Sequence, residues 1–472
     1  MGQYPNLPGY TTTLAEGSLK FVPNAPNTDS VLLIGYAHKG PLLEVQKPKS
    51  LAEAIETFGP TVDNVLVKGF AQVVDAGCED VSLMAINAGT AAFAEVEDTE
   101  VTPNKIFTIT AVRKGMALDG TVVDFEDGTF SITGGMFDTA ITFPIGADDD
   151  IDELVSVLET QHPGMFEIDI EEGEETTLIS ALNLPVTLSG GSSGGTSSTE
   201  LNNAYDLLLH TQVDFVVPLG ATEDEAQGLA EFCAKASGNN KLVQGVIATR
   251  TKGNEETIDD YATAMEAIDT EYVDGDNNDV GKFISVVVGE GQFSLHGVGL
   301  YHDTMAAVYA GFVSTLPPQS APTNKVLPGV RSIPYIFSAS QLNDLTGNKL
   351  VTFRRKPGRG VVTTDGMTAS SEELYARLTT MRITATVVQA IRDVCDPFIG
   401  EAGGLVQRNS MNTAISSGMK ALKDAGLLQA YTFIIKATPQ EMTQGIYNVD
   451  IEIVPVFEIR KVRATITLRP EL

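Results

Sequence analysis

The chain has 472 residues, of which 43% are hydrophobic and 20% are charged, so it is long enough to form several domains with cores of their own. Its formal net charge of −31 argues against direct binding of nucleic acid, which requires clustered Lys and Arg. No apolar run approaches the ~18 residues that span a bilayer, so we expect no membrane insertion.

The N-terminal sequence, MGQYPNLPGY, has neither the basic start nor the apolar segment of a secretory signal, so we expect the protein to be made in the cytoplasm. The three cysteines, Cys78, Cys233 and Cys395, are widely spaced and form no CxxC pair. This spacing predicts neither a disulfide framework nor a zinc site, and we expect all three side chains to be buried.

The first regular segment has the pattern of an α/β unit. Hydrophobic periodicity predicts a strand over 31–35, helices over 50–58 and 62–76, and a strand over 80–86. Ser50 is the predicted N-cap of the first helix, and Glu53 is predicted to complete a capping box.

The loop after the first strand, IGYAHKGP, resembles a phosphate-binding turn only superficially. It has Gly35 and Gly40 but not the GxGxxG pattern, and Pro41 removes a backbone donor where a phosphate would need one. We therefore expect this loop to turn the chain without binding a nucleotide.

Between residues 91 and 185 the pattern changes to alternating segments separated by Asp-Gly and Gly-Gly turns, which predict β-hairpins. This stretch contains 21 Asp and Glu against 3 Lys and Arg. It is predicted to be an acidic, β-rich domain inserted into an exposed loop of the α/β domain.

The α/β pattern resumes after the insertion, with helices predicted over 198–209, 223–237 and 257–269 and apolar strands between them. The predicted fold class is therefore α/β multidomain. Its parts are an N-terminal extended arm (1–20), an interrupted α/β core domain (21–90 plus 186–345), the insertion (91–185), a C-terminal α+β domain (346–458) and a C-terminal strand arm (459–472). The C-terminal domain is predicted to contain helices around 371–393 and 409–424, followed by strands.

No convergent set of catalytic, cofactor-binding or metal-binding residues is found in the sequence. The glycine-rich run SGGSSGGTSST at 189–199 lacks the lysine of a phosphate loop, and Ser197 lies in no hydrolase signature. His296, His302 and Asp303 would need further ligands to hold a metal, and the acidic run at 148–153 is better explained as a helix start. We therefore predict no cofactor and no enzymatic activity.

Both ends of the chain are predicted to be extended. The last residues alternate apolar and polar side chains, as a half-buried strand does, with Val462, Ala464, Ile466 and Leu468 on one face and Arg463, Thr465, Thr467 and Arg469 on the other. The N-terminal sequence LPGYTTTLAEGSLKFV is also extended. Such arms can pair within their own subunit or add strands to another copy, and pattern alone does not decide between the two.

Several segments together resemble the contractile tail sheath proteins of bacteriophages and related injection machines. They are LPGYTTTLAEG, VLLIGYAHKGPLLEVQKPKSLAEAIETFGP and LSGGSSGGTSSTELNNAYDLLLHTQVDFVVPLG, together with the region from about residue 350 to the end. The resemblance covers nearly the whole chain outside 91–185, and the order and spacing of the motifs make it specific.

The resemblance implies a structural subunit that polymerises around an inner tail tube and contracts to drive the tube through a cell envelope. Its implied partners are other copies of itself, the tube protein, and baseplate and tail terminator proteins. The implied location is the virion tail, assembled in the host cytoplasm, with the insertion facing outward. The inter-subunit arms would contain Tyr10, Thr11, Thr12, Thr13 and Leu14 at the N-terminus and Val462, Ala464, Ile466 and Leu468 at the C-terminus.

Charge is distributed unevenly along the chain: residues 321–472 contain 18 Lys and Arg against 13 Asp and Glu, whereas residues 1–320 contain 13 against 49. With the resemblance, this asymmetry suggests a basic C-terminal domain that faces an acidic tube, and we assign that contact to Arg408, Lys420 and Lys423. The alternatives left open are another self-assembling shell protein, such as a capsid or surface-layer protein, and a serine hydrolase on a degenerate subtilisin-like scaffold that would require Ser197.

Overall fold

A computed structural model describes residues 13–15, 18–20, 29–87, 90–100, 102–112, 118–135, 137–161, 165–191, 198–239, 242–401 and 404–460. The fold is mixed α/β, as predicted, with several separate sheets. Within these residues no helix is both long and apolar enough to cross a membrane.

The elements before the insertion contribute to two sheets: the first two strands pair with strands from the end of the chain, and the remaining elements form an α/β unit. In chain order, the elements before the insertion are β1 (Thr13–Ala15), β2 (Ser18–Lys20), β3 (Val31–Tyr36), β4 (Val45–Gln46), α1 (Leu51–Phe58), α2 (Val65–Asp75) and β5 (Val81–Ile86). All residues of β3 and β5 are buried, as expected for parallel strands that are covered on both faces. The predicted strands and helices of this unit are confirmed.

The N-terminus of α1 shows how closely local sequence determines local structure. Ser50 caps the helix as predicted, because its side chain accepts a hydrogen bond from the backbone N–H of Glu53 at 3.2 Å. The carboxylate of Glu53, however, accepts from the backbone N–H of Lys49 at 2.8 Å and not from that of Ser50. The reciprocal half of the capping box is therefore shifted by one residue.

The region from 91 to 188 forms its own hydrophobic core. Its elements are β6 (Phe93–Glu97), β7 (Lys105–Ala111), β8 (Thr121–Glu126), β9 (Thr129–Gly134), β10 (Phe137–Pro144), α3 (Ile151–Gln161), β11 (Phe166–Ile170) and β12 (Val186–Thr187). They form a four-stranded sheet in the order β10-β9-β8-β12 and a three-stranded sheet in the order β11-β7-β6. The hairpin composition predicted for this region agrees with its antiparallel pairing.

The chain then returns to the α/β pattern. The next elements are α4 (Ser198–Leu208), β13 (Phe215–Pro218), α5 (Ala226–Asn239), β14 (Gln244–Ala248), α6 (Ile258–Glu266) and β15 (Ile284–Val287). Strands from before and after the insertion join one six-stranded sheet, in the order β15-β14-β13-β3-β5-β4, which is parallel except at β4. Helices cover both faces of this central sheet: α2 lies over one face, while α4 and α5 lie over the other.

A hairpin, two helices and a second hairpin follow. They are β16 (Glu290–Leu295), β17 (Gly299–Thr304), α7 (Ala306–Ser314), α8 (Ala339–Gly347), β18 (Phe353–Lys356) and β19 (Gly360–Thr363). Residues beyond the boundary expected at 345 still pack on the central sheet: Val351 bridges β15, and Phe353 and Val361 belong to the same core as α2 and α7.

The last elements are α9 (Leu378–Cys395), α10 (Leu405–Asp424), β20 (Leu428–Lys436), α11 (Pro439–Thr443) and β21 (Asn448–Pro455). The helix expected around 371–393 begins only at Leu378, because residues 367–377 form a loop held by distant partners. Ala369 donates its backbone N–H to Ile284, and the Ser370 hydroxyl donates to Asp279 at 2.5 Å. These tertiary contacts override the local helix propensity of SEELYAR.

Candidate assembly surfaces

A four-stranded sheet unites the two ends of the described chain. Its order is β1-β2-β21-β20, with Leu19 opposite Ile451 and Lys20 opposite Asp450. β21 therefore has a strand partner on both sides, whereas no described strand pairs with the second side of β20. Such a free edge presents unpaired backbone groups to any strand that approaches it.

The structure places only part of the predicted arms. Thr13 and Leu14 lie in β1, where they pair with Lys20 and Leu19 of β2 in the same chain. Their pairing with another copy stays a prediction. The other predicted arm residues lie outside the described residues: Tyr10, Thr11, Thr12, Val462, Ala464, Ile466 and Leu468.

A buried ionic cluster holds the segment from which the C-terminal arm would extend. The Arg460 guanidinium donates to Asp365 Oδ2, with Nε at 2.8 Å, and Arg377 lies 3.4 Å from the same oxygen. Glu458 accepts from Arg377 at 3.3 Å and from the Thr379 hydroxyl at 2.7 Å. Asp365 is only 6% exposed, so this anchor is largely shielded from solvent. No local sequence pattern indicates the cluster, because its members are separated by up to 95 residues.

The three predicted tube-facing residues all lie on α10. Lys420 and Lys423 are exposed, and neither forms an ion pair in the described part of the chain. Arg408 is exposed as well, and its guanidinium donates to the Ile435 carbonyl of β20 at 2.8 Å. Arg408 therefore joins α10 to the terminal sheet, and contact of any of the three residues with a tube stays a prediction.

The crevice where nucleotides bind in many α/β folds is filled here by a side chain. In the central sheet the winding direction reverses between β3 and β13, and ligands of open parallel sheets bind at such a point. Leu219, directly after β13, is 7% exposed and packs on Gly35 and Gly69. A Cβ at Gly69 would lie 2.4 Å from Leu219 Cδ1. Gly35 therefore makes room for the Leu219 side chain.

The turn in the loop after β3 depends on Gly40, the second glycine of that loop. Gly40 has φ +92, and a Cβ there would lie 2.5 Å from the Thr57 carbonyl oxygen. This agrees with the prediction that the loop turns the chain.

The candidate metal ligands His296, His302 and Asp303 have different surroundings. His302 lies 3.4 Å from Gln292, and Asp303 accepts a hydrogen bond from Gln72 at 2.9 Å, while His296 is exposed in the turn between β16 and β17. In the described ranges no three His, Cys, Asp or Glu side chains are grouped as metal ligands would be. Ser197 lies outside the described residues.

The acidic run at 148–153 lies at the start of a helix. Asp150 accepts from the backbone N–H of Glu153 at 3.0 Å and caps α3, so the interpretation as a helix start is confirmed.

Cys78, Cys233 and Cys395 are all buried and free, as predicted. Burial raises the pKa of each thiol, which disfavours the reactive thiolate form.

No protein-family model and no curated protein sequence matches the chain. Solved structures do match it over nearly its whole length. The sheath tail protein of Desulfitobacterium hafniense is 12% identical, with a TM-score of 0.56 over 91% of this chain and 93% of that chain. The chain has the fold of sheath tail proteins.

Two assemblies contain chains with the same sheath fold. A chain in the contracted sheath complex of an extracellular contractile injection system, PVC, is 13% identical, with a TM-score of 0.56 over 100% of this chain and 99% of that chain. A chain in the baseplate structure of the anti-feeding prophage is 12% identical, with a TM-score of 0.57 over 98% and 99%. The resemblance read from the sequence motifs thus agrees with the fold along the whole chain, and the matched sheath proteins are structural components.

Proposed function

We propose that this chain is the structural subunit of a contractile sheath, which polymerises around an inner tube and contracts to drive that tube through a cell envelope. The observation that carries the proposal is the match of the whole chain to sheath chains, including one from a contracted sheath complex. The filled crevice at Leu219 supports a structural rather than a catalytic use of the α/β core.

Strand exchange is the proposed means by which neighbouring subunits are linked. In the monomer β2 pairs with β21 of its own chain, and a neighbour could supply the same strand in the same register, because domain swapping exchanges identical elements. The free edge of β20 offers a second place for a strand. The alternating sequence at 462–468 is suited to such an edge, with apolar residues on one face only.

Contact with the tube is proposed to use Lys420 and Lys423. Both are exposed on α10 and lack ion-pair partners among the described residues. Exposed pairs of this kind contribute ~0 to 1 kcal/mol each, which suits contacts that must all be released when the sheath contracts. Baseplate and tail terminator proteins are the proposed partners at the two ends, and the proposed location is a tail assembled in the host cytoplasm.

Negative-stain electron microscopy of the purified chain over a range of concentrations tests the proposal. Hollow tubes of uniform width are expected, whereas closed shells or flat sheets would contradict it and favour a capsid or surface-layer protein. A variant lacking residues 1–20 should form no tubes while keeping the helical signal of its circular dichroism spectrum. Intact tubes from that variant would refute strand exchange by this arm without refuting the sheath.

A further inference from the structure

Four cations lie close together on one hairpin of this acidic protein. β18, β19 and the turn between them form the basic hairpin (residues 353–363), which carries Arg354, Arg355, Lys356 and Arg359. The whole chain has only 31 Lys and Arg against 62 Asp and Glu, so such a cluster is unusual in it. The run FRRKPGRG was visible in the sequence, where it indicated only a domain boundary.

The basic hairpin lacks acidic partners within the described part of the chain. Arg354 donates to the Asn324 side-chain oxygen at 3.2 Å, and its Nε is buried without a hydrogen-bond partner. The pKa of Lys356 is lowered, first by desolvation and then by the charges of Arg354 and Arg359. None of the ion pairs found among the described residues includes a cation of this hairpin. The hairpin is therefore a concentration of uncompensated positive charge.

The hairpin holds these cations on a rigid support. Phe353 and Val361 are buried in the core that covers the central sheet, and Leu327 donates its backbone N–H to Val361 at 3.0 Å. Arg355 and Arg359 are exposed beyond this anchor. A charged surface on a fixed element loses little conformational entropy when a partner binds.

A complementary surface exists on the insertion of the same chain. In the β11-β7-β6 sheet, Glu95 and Asp169 both lie opposite Thr108, so their side chains lie on the same face. Glu97 and Glu167 are also exposed on this face, and we call these four residues the acidic sheet face. The nearby cation Lys105 is already paired with Glu171 at 2.8 Å and with Glu95 at 3.7 Å.

We propose that the basic hairpin of one copy docks on the acidic sheet face of a neighbouring copy. The inference rests on the proposed function in one respect, which is that copies of this chain assemble with one another. On the acidic sheet face the charges of β6 and β11 lie on either side of β7, about 10 Å apart across the sheet and about 7 Å apart along each strand. On the basic hairpin, Arg354 and Lys356 share one face with the same spacing of about 7 Å, and Arg355 lies on the other face. A hairpin-to-sheet contact joins two different patches, and a contact of this kind propagates into rings or helical strands.

Charge swapping tests this contact with the full chain. The hairpin variant carries Arg355→Glu, Lys356→Glu and Arg359→Glu, and the sheet variant carries Glu97→Lys, Glu167→Lys and Asp169→Lys. Arg354 and Glu95 are left unchanged because each already has a partner within the chain. A control variant with Lys39→Glu, Lys49→Glu and Arg331→Glu changes the net charge as much as the hairpin variant does, at other exposed positions.

Sedimentation velocity at 50 and 500 mM NaCl measures association. We expect each swapped variant to associate at least about tenfold more weakly than the natural chain at low salt, while the control is affected much less. An equimolar mixture of the two variants should recover the association, because each hairpin then meets a sheet face of opposite charge. High salt should weaken the recovered association as it does the natural one.

The outcomes separate this contact from the sheath proposal. The contact would be overturned if the hairpin variant alone associates as strongly as the natural chain, or if the mixture of the two variants does not associate. It would also be overturned if the natural chain stays monomeric at low salt. If the hairpin variant still forms tubes, the sheath proposal stands without the contact. If the mixture associates but forms no tubes under the microscope, the contact stands and the sheath proposal fails.

Discussion

Removing the carboxylate of Asp365 should destabilise the fold more than almost any other change at a charged residue. Asp365 Oδ1 accepts hydrogen bonds from the Thr323 hydroxyl at 2.8 Å and from the Gly366 backbone N–H at 3.1 Å. Its Oδ2 pairs with Arg377 and Arg460. Asp365→Ala would leave two guanidinium groups and a hydroxyl without their shared partner.

The expected magnitude follows from burial. Breaking a buried ion pair by removing one member costs about 3 to 5 kcal/mol. Arg377 and Arg460 are 21% and 33% exposed, so water can solvate them in part, and we expect the lower end, about 3 kcal/mol. That is about a hundredfold in the unfolding equilibrium.

Urea unfolding followed by far-UV circular dichroism measures this loss, since the chain has no Trp for fluorescence. Glu373→Ala, at an exposed position on the same segment, is the control and should change the free energy of unfolding by less than about 0.5 kcal/mol. Arg460→Ala should cost about 1 kcal/mol or less but should speed proteolysis of the C-terminal segment. A loss below about 1 kcal/mol for Asp365→Ala would refute the view that this cluster anchors the arm.

Three further predictions concern other features. Leu219→Ala should lower the free energy of unfolding in urea by about 3 kcal/mol. Gly69→Ala should be destabilising alone but stabilising when combined with Leu219→Ala, since its methyl group fills the space left by the leucine. Equal effects of Gly69→Ala with and without Leu219 would contradict this packing. Burial raises the pKa of Asp303, so the stability from its protonation is lost as the pH rises through that raised value. Asp303→Asn should therefore flatten the stability profile above the ordinary Asp pKa of about 3.9, and an unchanged profile would exclude this group as its source. Lys420→Glu with Lys423→Glu should leave the subunit folded by circular dichroism but prevent assembly on the tube, and tails of normal length by electron microscopy would disprove the tube contact.

The central sheet could be predicted from the sequence because its strands are short, continuous apolar runs between capped helices. β3 and β5 are entirely buried, and their runs, VLLIGY and VSLMAI, contain no charged residue. The loop at 367–377 could not be predicted in this way. Its backbone is fixed by Ile284 and Asp279, which lie about ninety positions away, so no local pattern reports them.

The hydrogen-bond partners of the charged assembly residues could not be predicted from the sequence. Arg408, Lys420 and Lys423 were grouped by charge alone, and the sequence gives no sign that Arg408 donates to the Ile435 carbonyl of β20. The cations of the basic hairpin are visible in the sequence, but their lack of acidic partners is not. Whether a cation has a partner depends on folded neighbours, and the sequence alone does not contain that information.

The terminal sheet has a mechanical consequence. β1 and β21 both run antiparallel to β2, so they are parallel to each other. The chain enters β1 at one end of the sheet and leaves β21 at the opposite end. A pull between the two termini therefore acts along the strands and loads the hydrogen-bonded ladders in shear, so that their bonds share the force and do not open one by one. A molecule held by both ends would yield at the rate at which this sheet unfolds under load.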